Sequence, residues 1–172
     1  FLGLLHLEII SERLEKEFNL DVITTMPSVT YKVYKRNGEM QYISNPSNMP
    51  GADEIDYIEE PFIKAEIFSP PEYVGGIMDL GIGKRGVYKD MQYLADNRVK
   101  IDFMLPLCEV VYDFFDKLKS TTHGYASFDY EMAGYEKSDM VKVDMLLNGD
   151  PCDALSMIVH RTKAYDRSRA IT

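Results

Sequence analysis

The succession of hydrophobic periods along residues 60–135 limits the fold of this chain more than any other feature of its sequence. Ile63, Ala65 and Ile67 alternate with polar residues, which predicts a strand, and apolar residues at helical spacing follow Pro70-Pro71. The predicted elements, in order, are a strand at 62–68, a helix at 71–82, strands at 87–94 and 99–105, a helix at 107–119 and a strand at 126–132. Strands and helices therefore follow one another in the order βαββαβ.

This order is that of the ferredoxin-like, split βαβ arrangement. Right-handed crossovers put both helices on one face of a four-stranded antiparallel sheet, where the apolar stripes and strand faces can bury each other. We therefore predict an α+β protein with a ferredoxin-like sandwich over residues 59–136, flanked by pieces of neighbouring domains.

The flanking segments have shorter patterns. Apolar residues at steps of three and four predict a helix over residues 4–18, with Glu12 and Lys16 as an i, i+4 ion pair, and Leu20–Ile23 is typical of a strand. Asn-Gly turns at 37–38 and 148–149 predict two hairpins, with strands at 31–34 and 40–43 and at 141–147 and 154–159. Residues 45–51 form the best candidate linker.

Composition excludes several function classes. The chain has 172 residues, 45% of them apolar, which is typical of a globular protein. It has 19 Lys and Arg against 28 Asp and Glu, so a global basic field for gripping nucleic acid is excluded. The sequence shows no 18-residue apolar run and no signal peptide.

The first and last residues of the sequence resemble interrupted elements, so we expect a piece of a longer protein. The two cysteines favour reduced, buried thiols.

Two groups of cations are candidate binding residues. Lys84 and Arg85 lie within the glycine-rich segment Gly81–Gly86, and Lys89 follows it. This segment lacks the Ser or Thr of a phosphate-binding loop and follows a predicted helix instead of a strand. The three cations form either a small basic patch for phosphates or the polar end of a helix. The second group comprises Arg161, Lys163, Arg167 and Arg169, on a segment that either faces phosphates or is simply solvated. No spacing of Cys, His, Ser or carboxylates indicates a metal or catalytic site.

Several stretches resemble the LepA family of translational GTPases, also called elongation factor 4. They are Leu2–Phe18, Thr24–Val29, Asn45–Ser47, Glu59–Pro61, Lys84–Gly86, Pro106–Lys119, Gly124–Glu131 and Asp153–Arg161. The resemblance covers essentially the whole chain. It implies four regions: 1–30 as the end of domain III, 31–58 as a connecting hairpin and linker, 59–136 as a ferredoxin-like domain comparable to domain V of elongation factor G, and 137–172 as the start of the LepA-specific C-terminal domain.

The resemblance implies a role in protein synthesis at the ribosome. The expected outcomes are back-translocation of tRNAs and translation fidelity, or else help with initiation or assembly. Partners would be ribosomal RNA, ribosomal proteins and tRNA, and the chain would be monomeric and cytoplasmic, with peripheral association at the inner face of the cell membrane as in the family. His160 and the four cations that follow it lie in the last domain and are the first candidates for RNA contacts. GTP, Mg²⁺ and the catalytic residues would belong to a GTPase domain outside this chain.

A stand-alone ferredoxin-like protein is the alternative, either a small-molecule sensor or an acylphosphatase-like hydrolase. Such a hydrolase needs a phosphate-cradling loop with an arginine between the first strand and the first helix. The segment there is Ser69-Pro70-Pro71-Glu72, and its two prolines have no N–H to donate.

Overall fold

The computed structural model describes residues 4–20 and 29–171, in which helices and strands alternate as follows. The strands are β1 (Tyr31–Lys35), β2 (Met40–Ile43), β3 (Ile55–Ser69), β4 (Val87–Leu94), β5 (Arg98–Pro106), β6 (Ser127–Ser138), β7 (Met140–Leu147) and β8 (Asp150–His160). The helices are α1 (Leu4–Phe18), α2 (Val74–Gly83), α3 (Leu107–Glu109), α4 (Phe115–Thr121) and α5 (Ala164–Ile171). A π-helical turn at Val110–Phe114 joins α3 to α4, and short 3₁₀ turns precede α2 and α5.

One antiparallel sheet contains six of the eight strands. Its order is β2-β1-β3-β5-β4, and β6 pairs with the other edge of β3. The segment β6-β3-β5-β4 has the ferredoxin-like strand order, so the predicted fold class is confirmed. Strands β7 and β8 form a separate two-stranded sheet.

Strand β3 is longer than its apolar alternation predicts, because it runs through Pro61. On one side β6 follows it from Ile58 to Phe68. On the other side β1 pairs with its first residues, up to Glu59, and β5 begins at Phe62. Pro61 lies in the gap between those two strands and has a strand partner on one side only, where a residue without an N–H is tolerated.

The main core lies between this sheet and the helices. Ten buried residues from β3, β5, α2, α4 and the π-helical turn form it: Ile63, Ala65, Ile67, Ile77, Val99, Ile101, Phe103, Leu105, Phe114 and Leu118. Both helices therefore cover one face of the sheet, as predicted. Two apolar residues of the predicted helices, which their helical spacing assigns to the buried stripes, lie outside this core, since Ile82 is 60% exposed and Val111 is 38% exposed.

Local geometry explains both differences. Helix α2 buries Gly81, where an added Cβ would lie 2.6 Å from the Phe103 ring, so the helix approaches β5 through its glycine and turns Ile82 outward. In the helical segment made of α3, the π-helical turn and α4, the π-helical turn adds a residue to one turn and rotates the side chains that follow it. Phe114 and Leu118 then face the core while Val111 faces solvent.

A second cluster lies under the β1–β2 hairpin. It consists of Val29, Tyr31, Val33, Ile43, Ile58 and Met140. Both Asn-Gly hairpins are confirmed, with positive φ at Gly38, Asn148 and Gly149. Helix α1 and its Glu12–Lys16 ion pair are also confirmed, whereas most of the strand predicted at 20–23 lies outside the described residues.

Candidate nucleic-acid interface

The first group of predicted cations lies at the C-terminal end of α2. The Gly86 N–H donates to the Gly81 carbonyl at 2.8 Å and the Arg85 N–H to the Ile82 carbonyl at 3.1 Å, which is the Schellman pattern of helix ends. Arg85 occupies the left-handed position, with φ 59°, that glycine usually takes. A Cβ on Gly86 would lie 2.6 Å from the Gly81 carbonyl oxygen, so this glycine is required by close packing. The segment is a helix cap, as one of the two interpretations predicted.

The cap directs Arg85 into the protein. Its guanidinium donates to both carboxylate oxygens of Glu60, at 2.6 and 2.9 Å, and to Oε1 of Glu109 at 3.2 Å. Its Nη2 also lies 3.2 Å from Sγ of Cys108. Glu60 is 0% exposed, so this bidentate pair is buried.

Lys84 joins the same set of charges. Its ammonium donates to Asp113 and lies 3.8 Å from Oε2 of Glu109. Asp113 is also paired with Lys117, at 2.9 Å on the outer side of the helix. We call this set the buried ion-pair cluster; its members are Glu60, Lys84, Arg85, Glu109, Asp113 and Arg167.

Arg167 brings the second group of cations to this cluster. From α5 it donates to Oε2 of Glu109 at 3.0 Å, and its guanidinium carbon lies 3.3 Å from the centre of the Tyr112 ring. Glu109 therefore accepts hydrogen bonds from Arg85 and Arg167, which are far apart in the sequence. The cluster ties the last helix of the described chain to the helical layer of the ferredoxin-like sheet.

The pKa values in the cluster follow from burial and pairing. Burial alone would raise the pKa of Glu60, but hydrogen bonds from Arg85 and Ser138 outweigh it and hold that pKa below its usual range. Asp113 behaves similarly, because Lys84 and Lys117 outweigh its burial. Burial, together with the charge of Glu60, raises the pKa of the Cys108 thiol to about 12. Glu60 and Asp113 are therefore ionised and the Cys108 thiol is protonated at neutral pH.

His160 and Arg161 lie where β8 gives way to the last helix. Nδ1 of His160 accepts a hydrogen bond from the Thr162 N–H at 3.4 Å and so caps the 3₁₀ turn. Burial and the nearby Arg85 charge lower the pKa of His160, which favours the neutral ring that this cap requires. Arg161 is 66% exposed and donates to Asp139 at 2.8 Å.

The remaining three predicted cations lie near the surface. Lys163 is partly exposed at the rim of a cavity of about 590 Å³, and Arg169 is exposed on α5. Lys89 is exposed in a β-bulge of the edge strand β4. Bulges and lysines on edge strands also prevent pairing with other chains, so this position has a structural explanation of its own.

The eight predicted site residues therefore do not form one surface. Lys84, Arg85 and Arg167 point into the buried ion-pair cluster and do not form an exposed patch with Lys89. Arg161, Lys163 and Arg169 remain at the surface around α5, next to the capping His160. Contacts of any of these residues with RNA stay a prediction.

Sequence reasoning missed the acidic half of the cluster. Glu60 directly precedes an apolar segment that begins at Pro61, and Glu109 is flanked in the sequence by Cys108 and Val110. A carboxylate in such an apolar context is a signal, because burial of an unpaired charge is costly and implies a buried cation nearby. The described residues contain no group of three or more side chains suited to a metal ion, and none of their helices is long and apolar enough to cross a membrane.

Comparison with known proteins shows the family of this chain. Residues 57–146 match the family model described as Elongation factor G C-terminus, and this match includes β4, β5, β6 and all of β3 except its first two residues. The match covers just over half of the chain, which therefore belongs to the elongation factor G C-terminus family.

Individual relatives show a more specific similarity than the family model does. Over 99% of its length the chain is 60% identical to the Elongation factor 4 proteins of Halalkalibacterium halodurans and Bacillus cytotoxicus, and 61% identical to that of Acetivibrio thermocellus. The resemblance to the LepA family is thus confirmed. The chain spans 28% of the length of each of these curated relatives.

Proposed function

We propose that this chain is the ribosome-binding C-terminal region of a LepA-like translational GTPase. The observation that carries the proposal is the 60% identity to Elongation factor 4 proteins along 99% of the chain, together with the elongation factor G C-terminus match. The stand-alone hydrolase is not favoured, because the β3–α2 connection contains Pro70 and Pro71 where a phosphate cradle needs N–H donors.

The same proposal assigns the four regions of the chain. Residues 1–30 close domain III, 31–58 form the connecting hairpin and linker, 59–136 form the domain comparable to domain V, and 137–172 open the C-terminal domain. The whole protein acts in the cytoplasm as a monomer, with back-translocation of tRNAs and translation fidelity as its outcomes and with peripheral association at the inner membrane face.

GTP and Mg²⁺ belong, in this proposal, to the part of the longer relatives that the chain does not match. The glycine-rich segment Gly81–Gly86 is a helix cap with required close contacts, and the described residues offer no cluster of metal-ligating side chains. The Gly81–Gly86 segment therefore does not fit a nucleotide, and in this proposal the chain contributes binding surface.

The exposed cations are the proposed RNA contacts. Arg161, Lys163 and Arg169 are at the surface around α5, and Lys89 is exposed on β4. The cations of the buried ion-pair cluster act indirectly, because Arg167 holds α5 against the helix that begins at Leu107. The chain can therefore bind an anionic partner locally although its net charge is −9.

Co-sedimentation of the chain with ribosomes, at several salt concentrations, tests the proposal. Binding should fall steeply as salt rises, and replacing Arg161, Lys163 and Arg169 by glutamine should lower the slope by about 0.7–0.9 for each lost phosphate contact. Arg13→Gln on α1 is the matched control, since Arg13 is exposed and paired within its own helix. Absence of binding, or binding that salt does not weaken, would contradict the proposal.

A further inference from the structure

The outer face of the strands β2, β1, β3 and β6 carries an unusual set of side chains. Val33, Ile43 and Ile58 point inward to the second hydrophobic cluster, so their neighbours in each strand point outward. Four tyrosines and two lysines share this outer face, which we call the tyrosine platform: Lys32, Tyr34, Tyr42, Tyr57, Tyr135 and Lys137.

Strand register brings these side chains together across four adjacent strands. Lys32 lies opposite Tyr42 on one side and Glu59 on the other, and Glu59 lies opposite Lys137. Tyr34 lies opposite Tyr57. The platform is thus about three interstrand spacings wide, or roughly 14 Å.

The rings and ammonium groups of the platform contact each other directly. The rings of Tyr34 and Tyr57 are stacked, with centroids 4.4 Å apart and planes 15° apart. Nζ of Lys137 lies 4.5 Å from the Tyr57 ring centre, and Nζ of Lys32 lies 4.2 Å from that of Tyr135. Each lysine covers one face of the ring that it contacts, so both ammonium groups are held in place on the same surface as the uncovered Tyr42 ring.

Cross-strand stabilisation explains part of this arrangement but not all of it. Stacked and cation–π pairs stabilise exposed sheets, which accounts for Tyr34, Tyr57 and the two lysines. It does not account for Tyr42, which is 61% exposed and stacks on no ring among the described residues. Met40 beside it is 41% exposed, so the β2 end of the platform presents apolar surface to solvent.

We propose that the tyrosine platform binds an unpaired RNA strand, with a base stacking on the exposed Tyr42 ring and phosphates near Lys32 and Lys137. Charge supports this partner, because the platform has two lysines and only Glu59 lies opposite them in the register, in a chain whose net charge is −9. Aromatic rings interleaved with cations on a four-stranded sheet are a known solution for stacking two or three bases. The proposal rests on the proposed function only in that ribosomal RNA supplies such strands.

Fluorescence anisotropy of a fluorescein-labelled hexauridylate, titrated with the 172-residue chain, tests the platform. Tyr42→Ala should weaken binding roughly 5- to 150-fold, the effect of losing one stacked base. Tyr42→Phe should bind like the parent chain, because stacking uses the ring and not the hydroxyl. Lys32→Gln should lower the salt slope by about 0.7.

Tyr93→Ala is the matched control, since Tyr93 is 71% exposed on β4, away from the platform. Circular dichroism melts of every variant show whether it folds, and Tyr42→Phe keeps the test valid if Tyr42→Ala does not. Unchanged affinity in Tyr42→Ala, an equal loss in Tyr93→Ala, a loss in Tyr42→Phe, or no binding of the oligonucleotide would each overturn the proposal. A platform that captures ribosomal proteins and not the oligonucleotide would overturn it as well.

Ribosome co-sedimentation separates this proposal from the proposed function. If the chain sediments with ribosomes but Tyr42→Ala leaves hexauridylate binding unchanged, the platform proposal is wrong and the proposed function stands. If the oligonucleotide binds with the expected variant pattern but ribosomes do not, the proposed function is wrong and the platform proposal stands.

Discussion

Replacing Arg85 by alanine measures how much the buried ion-pair cluster contributes to stability. The substitution removes the hydrogen bonds at 2.6 and 2.9 Å to a fully buried Glu60, which keeps only those from Ser138 and Cys108. Removing one partner of a buried ion pair costs about 3–5 kcal/mol, because the other charge is left without compensation. The chain escapes part of this cost if Glu60 becomes protonated.

Because Glu60 can take up a proton, the stability lost in Arg85→Ala depends on pH. A carboxyl group with an ordinary pKa near 4.5 costs about 1.4 kcal/mol to protonate for each pH unit above that value. The expected loss for Arg85→Ala is therefore about 3 kcal/mol at pH 7. In the parent chain the pKa of Glu60 is lowered in the folded state. The stability that Glu60 contributes there is present above its unfolded pKa and is lost only as pH falls through its lower, folded pKa. The difference in stability between the two chains should therefore narrow by about 1.4 kcal/mol for each pH unit from pH 7 down to pH 5.

Urea unfolding at both pH values, followed by circular dichroism and tyrosine fluorescence, measures this gap. The double variant Glu60→Gln/Arg85→Ala has no titrating group at position 60. The difference between its free energy of unfolding and that of the parent chain should therefore be nearly the same at pH 7 and pH 5. Arg161→Ala is the matched control; its partner Asp139 is exposed, and we expect a loss of at most about 1 kcal/mol. A gap for Arg85→Ala that does not change with pH would refute the reasoning.

Two further predictions concern the helix that covers the sheet. Leu118→Ala should cost about 2–5 kcal/mol by urea unfolding because Leu118 is buried in the main core, whereas Val111→Ala on the exposed side should cost less than about 1 kcal/mol; equal losses would contradict the packing. Because the pKa of Cys108 is raised to about 12, iodoacetamide at pH 8 should alkylate it only as urea unfolds the chain, measured by mass spectrometry in a Cys152→Ser background. Alkylation of the folded chain at the rate of a free thiol would show that Cys108 is accessible.

The fold could be predicted from the sequence because two different hydrophobic periods alternate clearly along it. Alternation in Ile63–Ile67 and in Val99–Leu105, and the stripe ending at Leu118, correspond to residues of the main core. The extension of β3 through Pro61 could not be predicted, because proline ordinarily marks a strand end and the gap between β1 and β5 that tolerates it is a property of the assembled sheet.

For the buried ion-pair cluster, the sequence predicts only which charged residues are present and not that they contact one another. Local sequence shows that Lys84 and Arg85 are cationic, but not that a helix cap turns them toward Glu60 and Glu109. The Arg167–Glu109 pair joins positions 58 residues apart, which no local pattern encodes. The tyrosine platform could not be predicted from local sequence either. Lys32 and Tyr34 of β1 form part of a surface only because strand register places them beside residues of β2, β3 and β6.

Strand β3 takes part in both hydrophobic clusters, because Ile58 belongs to the one under the hairpin and Ile63 to the one under the helices. Tyr57 of the tyrosine platform and Glu60 of the buried ion-pair cluster are three residues apart on this one strand, with their side chains on opposite faces of the sheet. The backbone that carries the outer surface is therefore the same one that holds Glu60 in the cluster of charges to which Arg167 of the last helix also belongs.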